Sequence, residues 1–394
     1  MLKTPRTWWK RYYYTYLDSL FKFLVPEGKS FYCTDTATLP VQKVDYIIAL
    51  DALAQVDDVN SFLVEATQYL SPTGRLIITQ FNALWAPILR LGSYLGLRKI
   101  TAEQNWLTLG DLRNLTYLAN WEIVRSGSKL LMPFYIPLVT WFLNRFLAQW
   151  WPFSRLGLFY CLVLRKSNQS SSPVANLPIC SIIVPARNEA GTISQIINEL
   201  PNLGSLTEII FIEGHSTDQT WEVIKAEVIK YRGPKKLIYA RQDGRGKGDA
   251  VRKGFDLATG DILTIYDADM TVPPNELEIF YTALTENKAD FINGSRLVYP
   301  MKKESMRSLN FLGNKFFSLI FTWILGQSIK DTLCGTKMLW KKDYQAISDN
   351  RKFFGNFDPF GDFDLILGAA KLNLKIIDMP VHYRERVYGT TNIS

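Results

Sequence analysis

Along the 394-residue chain, apolar positions gather into short unbroken runs, and segments with helical apolar spacing lie between them. In the first part, residues 44–50 and 75–81 read as buried strands flanking a helix over 59–70. Thr108-x-x-Asp111 has the spacing of a capping box and opens a further helix, and strands follow at 121–126 and 159–164. The second part alternates more regularly. Strands at 180–185, 208–213, 237–240 and 262–267 are separated by helices near 190–200, 218–230 and 247–258. Alternation of this kind predicts an α/β fold with a parallel sheet in each part, the second doubly wound, with ligands beyond the carboxyl ends of its strands. The polar, Ser-rich run 167–177 reads as a linker, giving domains over 1–166 and 178–394.

Composition narrows the chemistry. With 47% hydrophobic and 21% charged residues the chain is globular rather than disordered or fibrous. A net charge of +8 favours an anionic partner without choosing between nucleotide, lipid headgroup and nucleic acid, and no nucleic-acid-binding motif supports the last. Four scattered cysteines without CxxC spacing predict a reducing compartment and no structural zinc. Only His215 and His382 occur, which excludes a His-rich metal centre and a Ser-His-Asp site. The N-terminal stretch lacks the continuous apolar core and cleavage site of a signal peptide. The apolar stretches 130–151 and 309–325 are broken by Asn144 and Arg145 and by Asn310, Asn314 and Lys315, so neither reads as a spanning helix. The second suits a membrane interface, with Phe311, Phe316, Phe317, Phe321 and Trp323 as its large apolar rings; a core helix is the competing reading. The aromatic clusters Trp8–Tyr14, 133–137 and 150–152 divide in the same way between headgroups and protein packing.

Three polar clusters fall where strands of the second part end. They are Pro185-Ala186-Arg187-Asn188-Glu189, Glu213-Gly214-His215-Ser216-Thr217-Asp218 and Asp267-Ala268-Asp269. Each alone also reads as a turn and helix cap. The Asp267/Asp269 pair says more, because two carboxylates at the end of a buried strand repel one another unless a cation or donor lies between them. Hard oxygen ligands suit Mg²⁺ or Mn²⁺, which could bridge a diphosphate. The loop Asp243-Gly244-Arg245-Gly246-Lys247-Gly248-Asp249-Ala250 offers amides and cations to phosphate oxygens. It is not a Walker A loop, since glycine rather than Ser or Thr follows the lysine, and ATP hydrolysis is disfavoured.

Taken in order, these clusters, the 244–254 run and Gly294-Ser295-Arg296 resemble family-2 glycosyltransferases over residues 178–394. The Asp331–Lys337 motif and the terminal Arg386–Asn392 motif narrow the likeness to polyprenyl-phosphate (dolichyl-phosphate) mannosyl- and glucosyltransferases. The resemblance implies a nucleotide-sugar-binding doubly wound sheet of the GT-A type. It implies that Pro185, Arg187 and Glu189 line the nucleotide pocket with Glu213 near the base and Lys247 near the nucleotide, and that Asp267 and Asp269 face the ribose and a metal-bound diphosphate. On the acceptor side it implies Arg296, Arg307, Asp331 and Arg386 around the lipid phosphate, with Asp362 and Asp364 as a further acidic pair; helix N-terminal acids are the plain alternative for the last two. Where many relatives have a second acidic residue after Glu213, this chain has Gly214. The resemblance also implies continuation beyond Ser394.

The implied reaction moves a hexose from GDP-mannose or UDP-glucose to polyprenyl phosphate with inversion, on a protein attached peripherally to the cytoplasmic membrane face. An acceptor phosphate already anionic at neutral pH needs no histidine base, only positioning and charge stabilisation. A glycan or protein acceptor is the nearest alternative. Residues 44–165 resemble the later half of a class I S-adenosylmethionine-dependent methyltransferase, but the opening strand, Gly-rich turn and ribose-binding acid are missing. An incomplete Rossmann-like domain that does not bind S-adenosylmethionine is therefore expected, acting as a docking or structural partner. An active methyltransferase and a non-catalytic scaffold are the readings it competes with.

Overall fold

The computed structural model of the chain describes residues 8–36, 38–56, 58–94, 105–150, 153–167, 177–296, 308–350, 361–386 and 388. It divides into two compact units, Met1–Gln169 with Lys371–Asn373, and Ser170–Ala370 with Leu374–Ser394.

The first unit runs α1 (Trp8–Leu24), β1 (Phe31–Thr34), β2 (Val44–Leu50), α2 (Val59–Ala66), β3 (Leu70–Phe81), α3 (Ala86–Tyr94), α4 (Leu109–Leu118), β4 (Trp121–Lys129), α5 (Val139–Arg145) and β5 (Phe159–Lys166). Its sheet has the order β1-β2-β3-β5-β4. The first three strands are parallel, whereas β5 runs antiparallel to both β3 and β4, so the expectation of a parallel sheet is corrected to a mixed one. The reason lies in the 130–158 connection. Among its described residues it holds only the seven-residue α5 and short 3₁₀ turns, and an antiparallel return needs no crossover helix. Successive strand residues feed opposite faces. Ile47, Ile78 and Leu162 pack with Phe62, Leu63 and Leu112 of α2 and α4, while Ile48, Ile77 and Val163 pack with Leu17 and Phe21 of α1. The Thr108–Asp111 capping box is present in both directions at the start of α4.

The second unit runs β6 (Cys180–Ala186), α6 (Ile193–Glu199), β7 (Thr207–Glu213), α7 (Thr220–Lys230), β8 (Lys236–Arg241), α8 (Lys247–Leu257), β9 (Ile262–Ile265), α9 (Leu277–Thr285), β10 (Phe291–Ser295), α10 (Ser308–Leu325), β11 (Lys337–Trp340), α11 (Lys341–Asp349), α12 (Asp362–Lys371) and β12 (Ile376–Pro380). The sheet order is β12-β10-β11-β9-β6-β7-β8. Strands β6 to β9 are mutually parallel, and β11 is antiparallel to β9 and β10. The α/β class expected from the sequence is borne out. Strands β6 and β7 are buried along nearly their whole length, as strands covered on both faces must be, which is why they read as continuous apolar runs.

The chain order reverses between β6 and β9. From β6 it steps through β7 to β8 on one side, then returns to place β9 on the other. That reversal is a topological switch point, and it opens a crevice outside the carboxyl ends of β6 and β9. Among the described residues no helix is long and apolar enough to cross a membrane.

Candidate active site

At the switch point, Asp267 follows β9 by two residues, and a turn closed by the Met270 amide on the Asp267 carbonyl (3.2 Å) brings Asp269 round beside it. Met270 takes a left-handed φ of 55° to make that turn, a conformation non-glycine residues pay for. Asp269 accepts from the amide and hydroxyl of Thr271 at 3.2 and 3.0 Å. Its carboxyl is nevertheless pushed above the usual range, first by burial and then by the charge of Asp267. That is the repulsion the sequence predicts for this pair, and a shared cation would relieve it.

Lys247, the first residue of α8, places Nζ 2.5 Å from Asp267 Oδ1. The loop ahead of it is tied down by Gly244 N to Asp249 Oδ2 (2.8 Å) and Gln242 Nε2 to the Gly244 carbonyl (3.0 Å). Over the Lys247–Asp267 pair sits Gly335. A Cβ there would come within 2.1 Å of Asp267 Oδ2 and 2.2 Å of Lys247 Nζ, so a larger residue would have to push these two charged side chains aside. For a hard divalent ion the donor chemistry fits. Asp267 and Asp269 supply carboxylate oxygen, and since no group of three His, Cys, Asp or Glu forms among the described residues, the remaining ligands would come from a diphosphate or water.

The loops after β6 and β7 are laced together. Asn188, at a φ of 57°, accepts from the Thr217 amide at 2.8 Å, and its own amide donates to Ser216 Oγ at 3.0 Å. Pro185 lies within β6, level with Ile212 of β7. Arg187 is exposed at the loop's outer side. Gly214, directly after Glu213, approaches Arg187 so closely that a Cβ would lie 3.2 Å from the arginine's own. Glu213 is buried, accepting from the Ser216 amide at 2.5 Å and pairing with Arg241 at 3.3 Å. Glu189 is buried as well and ion-pairs with Arg386, and its Oε2 is a buried oxygen with no hydrogen-bond partner.

Arg296, directly after β10, is gripped by Asp331. Its Nε and Nη2 donate to the two carboxylate oxygens at 2.8 and 2.9 Å, and its amide adds a third bond at 3.0 Å. Asp331 also accepts from Asn314 Nδ2 (2.7 Å) and the Leu333 amide (3.0 Å), and these donors together hold its carboxyl down to about 2 despite burial. Fully buried, Asp331 supports Arg296 through both carboxylate oxygens.

Tyr383 and the segment around it are what the sequence reading missed. Val381 N donates to the Ser295 carbonyl (2.9 Å), His382 Nδ1 lies 2.6 Å from Glu276 Oε1, and Arg384 N donates to the Thr271 carbonyl (2.8 Å). The segment then reaches Glu189 through Arg386, and Tyr388 packs against Gly191. It thus strings together the ends of β10, β9 and β6. Tyr383 stacks under the Arg296 guanidinium at 5.2 Å, and its hydroxyl is raised by burial and by the charge of Asp269, with Arg296 opposing. One ring therefore feels both Arg296 and Asp269. No composition or spacing signal marks it. Asp364 is mostly buried on α12 and lines a small cavity with Gly248, Arg252 and Tyr344 beside the first turn of α8. Arg307, the side chains of Asp362, Phe311 and Trp323, and residues 387 and 389–392 of the terminal motif lie outside the described residues. All four cysteines are free, and burial raises each thiol, to about 11 for Cys33, Cys161 and Cys334 and about 12 for Cys180, so each favours the neutral thiol.

Residues 181–348 match glycosyl transferase family 2. The chain carries a family-2 glycosyltransferase domain. Similar proteins include the dolichol-phosphate mannosyltransferase of Pyrococcus furiosus, 30% identical over 219 residues that cover 54% of this chain and 58% of the relative. Glycosyltransferase AglJ of Haloferax volcanii is 28% identical over 54% of this chain and 65% of its own. The chain thus spans about three fifths of the length of these curated relatives. Among solved structures, glucosyl-3-phosphoglycerate synthase of Mycobacterium tuberculosis, in complex with Mn²⁺, uridine diphosphate and glucosyl-3-phosphoglycerate, aligns with a TM-score of 0.41 at 16% identity, over 54% of this chain and 73% of that one. The glycosyltransferase domain begins within β6 and ends within α11, so it contains the Asp267/Asp269 turn, Lys247 and the Arg296–Asp331 pair, while Arg386 follows it.

Proposed function

We propose that the glycosyltransferase domain moves a hexose from a nucleotide sugar to polyprenyl phosphate, with inversion, on a protein held peripherally at the cytoplasmic face of a membrane. The observation that carries this reading is the half-buried Asp267/Asp269 turn at the switch point, with Lys247 on one carboxylate. A divalent ion bound by these carboxylates would offset the negative charge gathering on the departing nucleoside diphosphate. An oxygen of the acceptor phosphate attacks the anomeric carbon as the bond to the diphosphate breaks, and the diphosphate leaves with the electron pair. Because the attacking oxygen is anionic at neutral pH, the protein's task is to hold two anions in line. Arg296 suits one of them: Asp331 takes its Nε and Nη2 edge and fixes the guanidinium plane, leaving the Nη1 edge for an oxygen of the acceptor. The resemblance to dolichol-phosphate mannosyltransferases supports the lipid acceptor. The first unit is proposed to be an incomplete methyltransferase-like domain without S-adenosylmethionine; its β1 is followed directly by the glycine-free stretch 35–43 rather than by a Gly-rich turn.

The test is transfer from a labelled panel of GDP-mannose, UDP-glucose and related donors to polyprenyl phosphate in detergent, with Mg²⁺ or Mn²⁺. Organic-extractable label that needs the metal, and that drops roughly a hundredfold or more in Asp269→Ala, is the expected result. Donor binding with label only in a soluble glycan or protein would sink the lipid acceptor and leave the domain's chemistry standing.

A further inference from the structure

Helix α5 of the first unit is inside out. Its two uncharged polar residues, Thr140 and Asn144, face the protein and tie the preceding segment to the helix. Thr140 Oγ1, fully buried, accepts from the Ile136 amide at 2.7 Å and donates to the Phe134 carbonyl at 2.9 Å. Asn144 Oδ1 accepts from the amides of Leu131 and Met132 at 2.8 and 3.0 Å, while Nδ2 donates to the Met132 carbonyl at 2.8 Å and to the Tyr12 hydroxyl at 3.2 Å. The apolar side chains point the other way, with Leu138 81%, Trp141 57% and Trp150 66% exposed, and Val139, Phe142 and Phe146 exposed beside them. A water-facing helix has the opposite arrangement.

The exposure is built rather than incidental. Leu138 is held at a φ of 62°, a left-handed backbone costly for a leucine, at the point where it projects furthest. Trp141 and Phe142 both lean on Phe146, at ring separations of 5.0 and 6.0 Å, so the aromatic cluster keeps its shape in the open. Contiguous exposed apolar area of this kind marks an interaction site.

The charge around it selects the partner. From Glu122 to Glu189 the chain contains no acidic residue, and Arg145 and Arg155 stand exposed within the patch. Trp and Phe with arginine and no carboxylate is the composition of a surface that sits among anionic headgroups with its rings at the acyl boundary. We infer that this face of α5 and its flanks docks the first unit on an anionic lipid bilayer. The inference rests on the first unit alone and not on the acceptor proposed above, so a failed transfer assay in detergent and a failed docking assay are separate results.

Flotation of the full chain with phosphatidylcholine vesicles, with or without phosphatidylglycerol, tests it. Wild-type protein is expected to float with the anionic vesicles, and raised salt is expected to weaken binding. Leu138→Ser/Trp141→Ser/Phe142→Ser should lose that binding by roughly tenfold or more with an unchanged melting temperature, since these side chains contribute to no core. Arg145→Glu/Arg155→Glu should fall by a similar factor and bring anionic vesicles down to the neutral-vesicle level. Triple-variant binding equal to wild type would overturn the inference. So would wild-type protein that ignores both kinds of vesicle, or that forms a dimer which the triple variant turns into monomer, assigning the face to a second copy of this chain.

Discussion

At the scale of single residues the glycosyltransferase domain hangs on a few buried charges whose partners are fixed. Asp331 is the clearest. Fully buried, it stays ionised because Arg296, Asn314 and two backbone amides all donate to it. Removing one member of such a pair strands the other, so Asp331→Ala should cost about 3–5 kcal/mol in urea unfolding at neutral pH. The pH dependence has a definite sign. A carboxyl held at about 2 in the fold against 3.8 in the open chain adds stability above the unfolded value and loses it as the pH falls through the folded one. The stability gap between wild type and Asp331→Asn should therefore shrink, by roughly 2 kcal/mol in all, as the pH is lowered from about 5 towards 2. A gap independent of pH would mean that the Arg296 contact is not what holds the carboxyl down. The sequence could name Asp267, Asp269, Arg296 and Asp331, because their residue types and their places after strands carry the signal. It could not show that Asp331 is the buried partner that holds Arg296, because that arrangement involves Asn314, 17 residues away in α10, whose Nδ2 also donates to Asp331.

At the scale of elements, α8 is pressed against β6 at Gly254. A Cβ there would lie 2.4 Å from Ile183 Cγ2, on a strand whose Ile183 also pairs with Ile265 of β9. Two effects of Gly254→Ala oppose one another. Alanine favours the helix by about 1 kcal/mol, but forcing a methyl into this contact costs about 1–3 kcal/mol and pushes on the strands that carry the site. The clash should win, giving a net loss of stability in thermal unfolding together with weaker donor binding; a stabilised variant would show that α8 can lift away without consequence. The elements legible in the sequence are those with a local cause. β6, β7, β8 and α8 follow from apolar runs and helical spacing, and α4 from the reciprocal Thr108–Asp111 cap. Those that escaped it have none. β1 is four residues at a sheet edge, of which only Thr34 is buried, β11 begins with Lys337, buried against Asn293 Oδ1 at 3.1 Å, and β10 carries Asn293 and Gly294 in its interior. Each is a strand because its neighbours supply hydrogen-bond partners. The direction of β5, and with it the mixed sheet, is likewise a matter of long-range pairing.

At the scale of the whole molecule, the chain puts two α/β sheets to different uses. In the second unit polar loops crowd the carboxyl ends of β6, β7 and β9, whereas in the first unit the corresponding loop after β1 brings no glycine to a phosphate and no paired acid to a ribose. Ligand chemistry is thus expected in one unit only, and hydrogen exchange can read it peptide by peptide, because a ligand protects the amides whose local opening it opposes. A nucleoside diphosphate with Mn²⁺ should slow exchange in peptides covering the 185–189 and 213–218 loops, the start of α8 and the 266–271 turn. Slowing should also extend to 381–386, because that segment's own backbone bonds run to Thr271 and Ser295. Peptides from β2, β3 and β5 should be unchanged, and S-adenosylmethionine should protect nothing in either unit. Protection of β1 to β3 by S-adenosylmethionine would restore a methyltransferase role to the first unit. Protection by the nucleotide that stopped short of 381–386 would show that the segment joining the ends of β10, β9 and β6 takes no part in donor binding, and that Arg386 serves only to pair with Glu189.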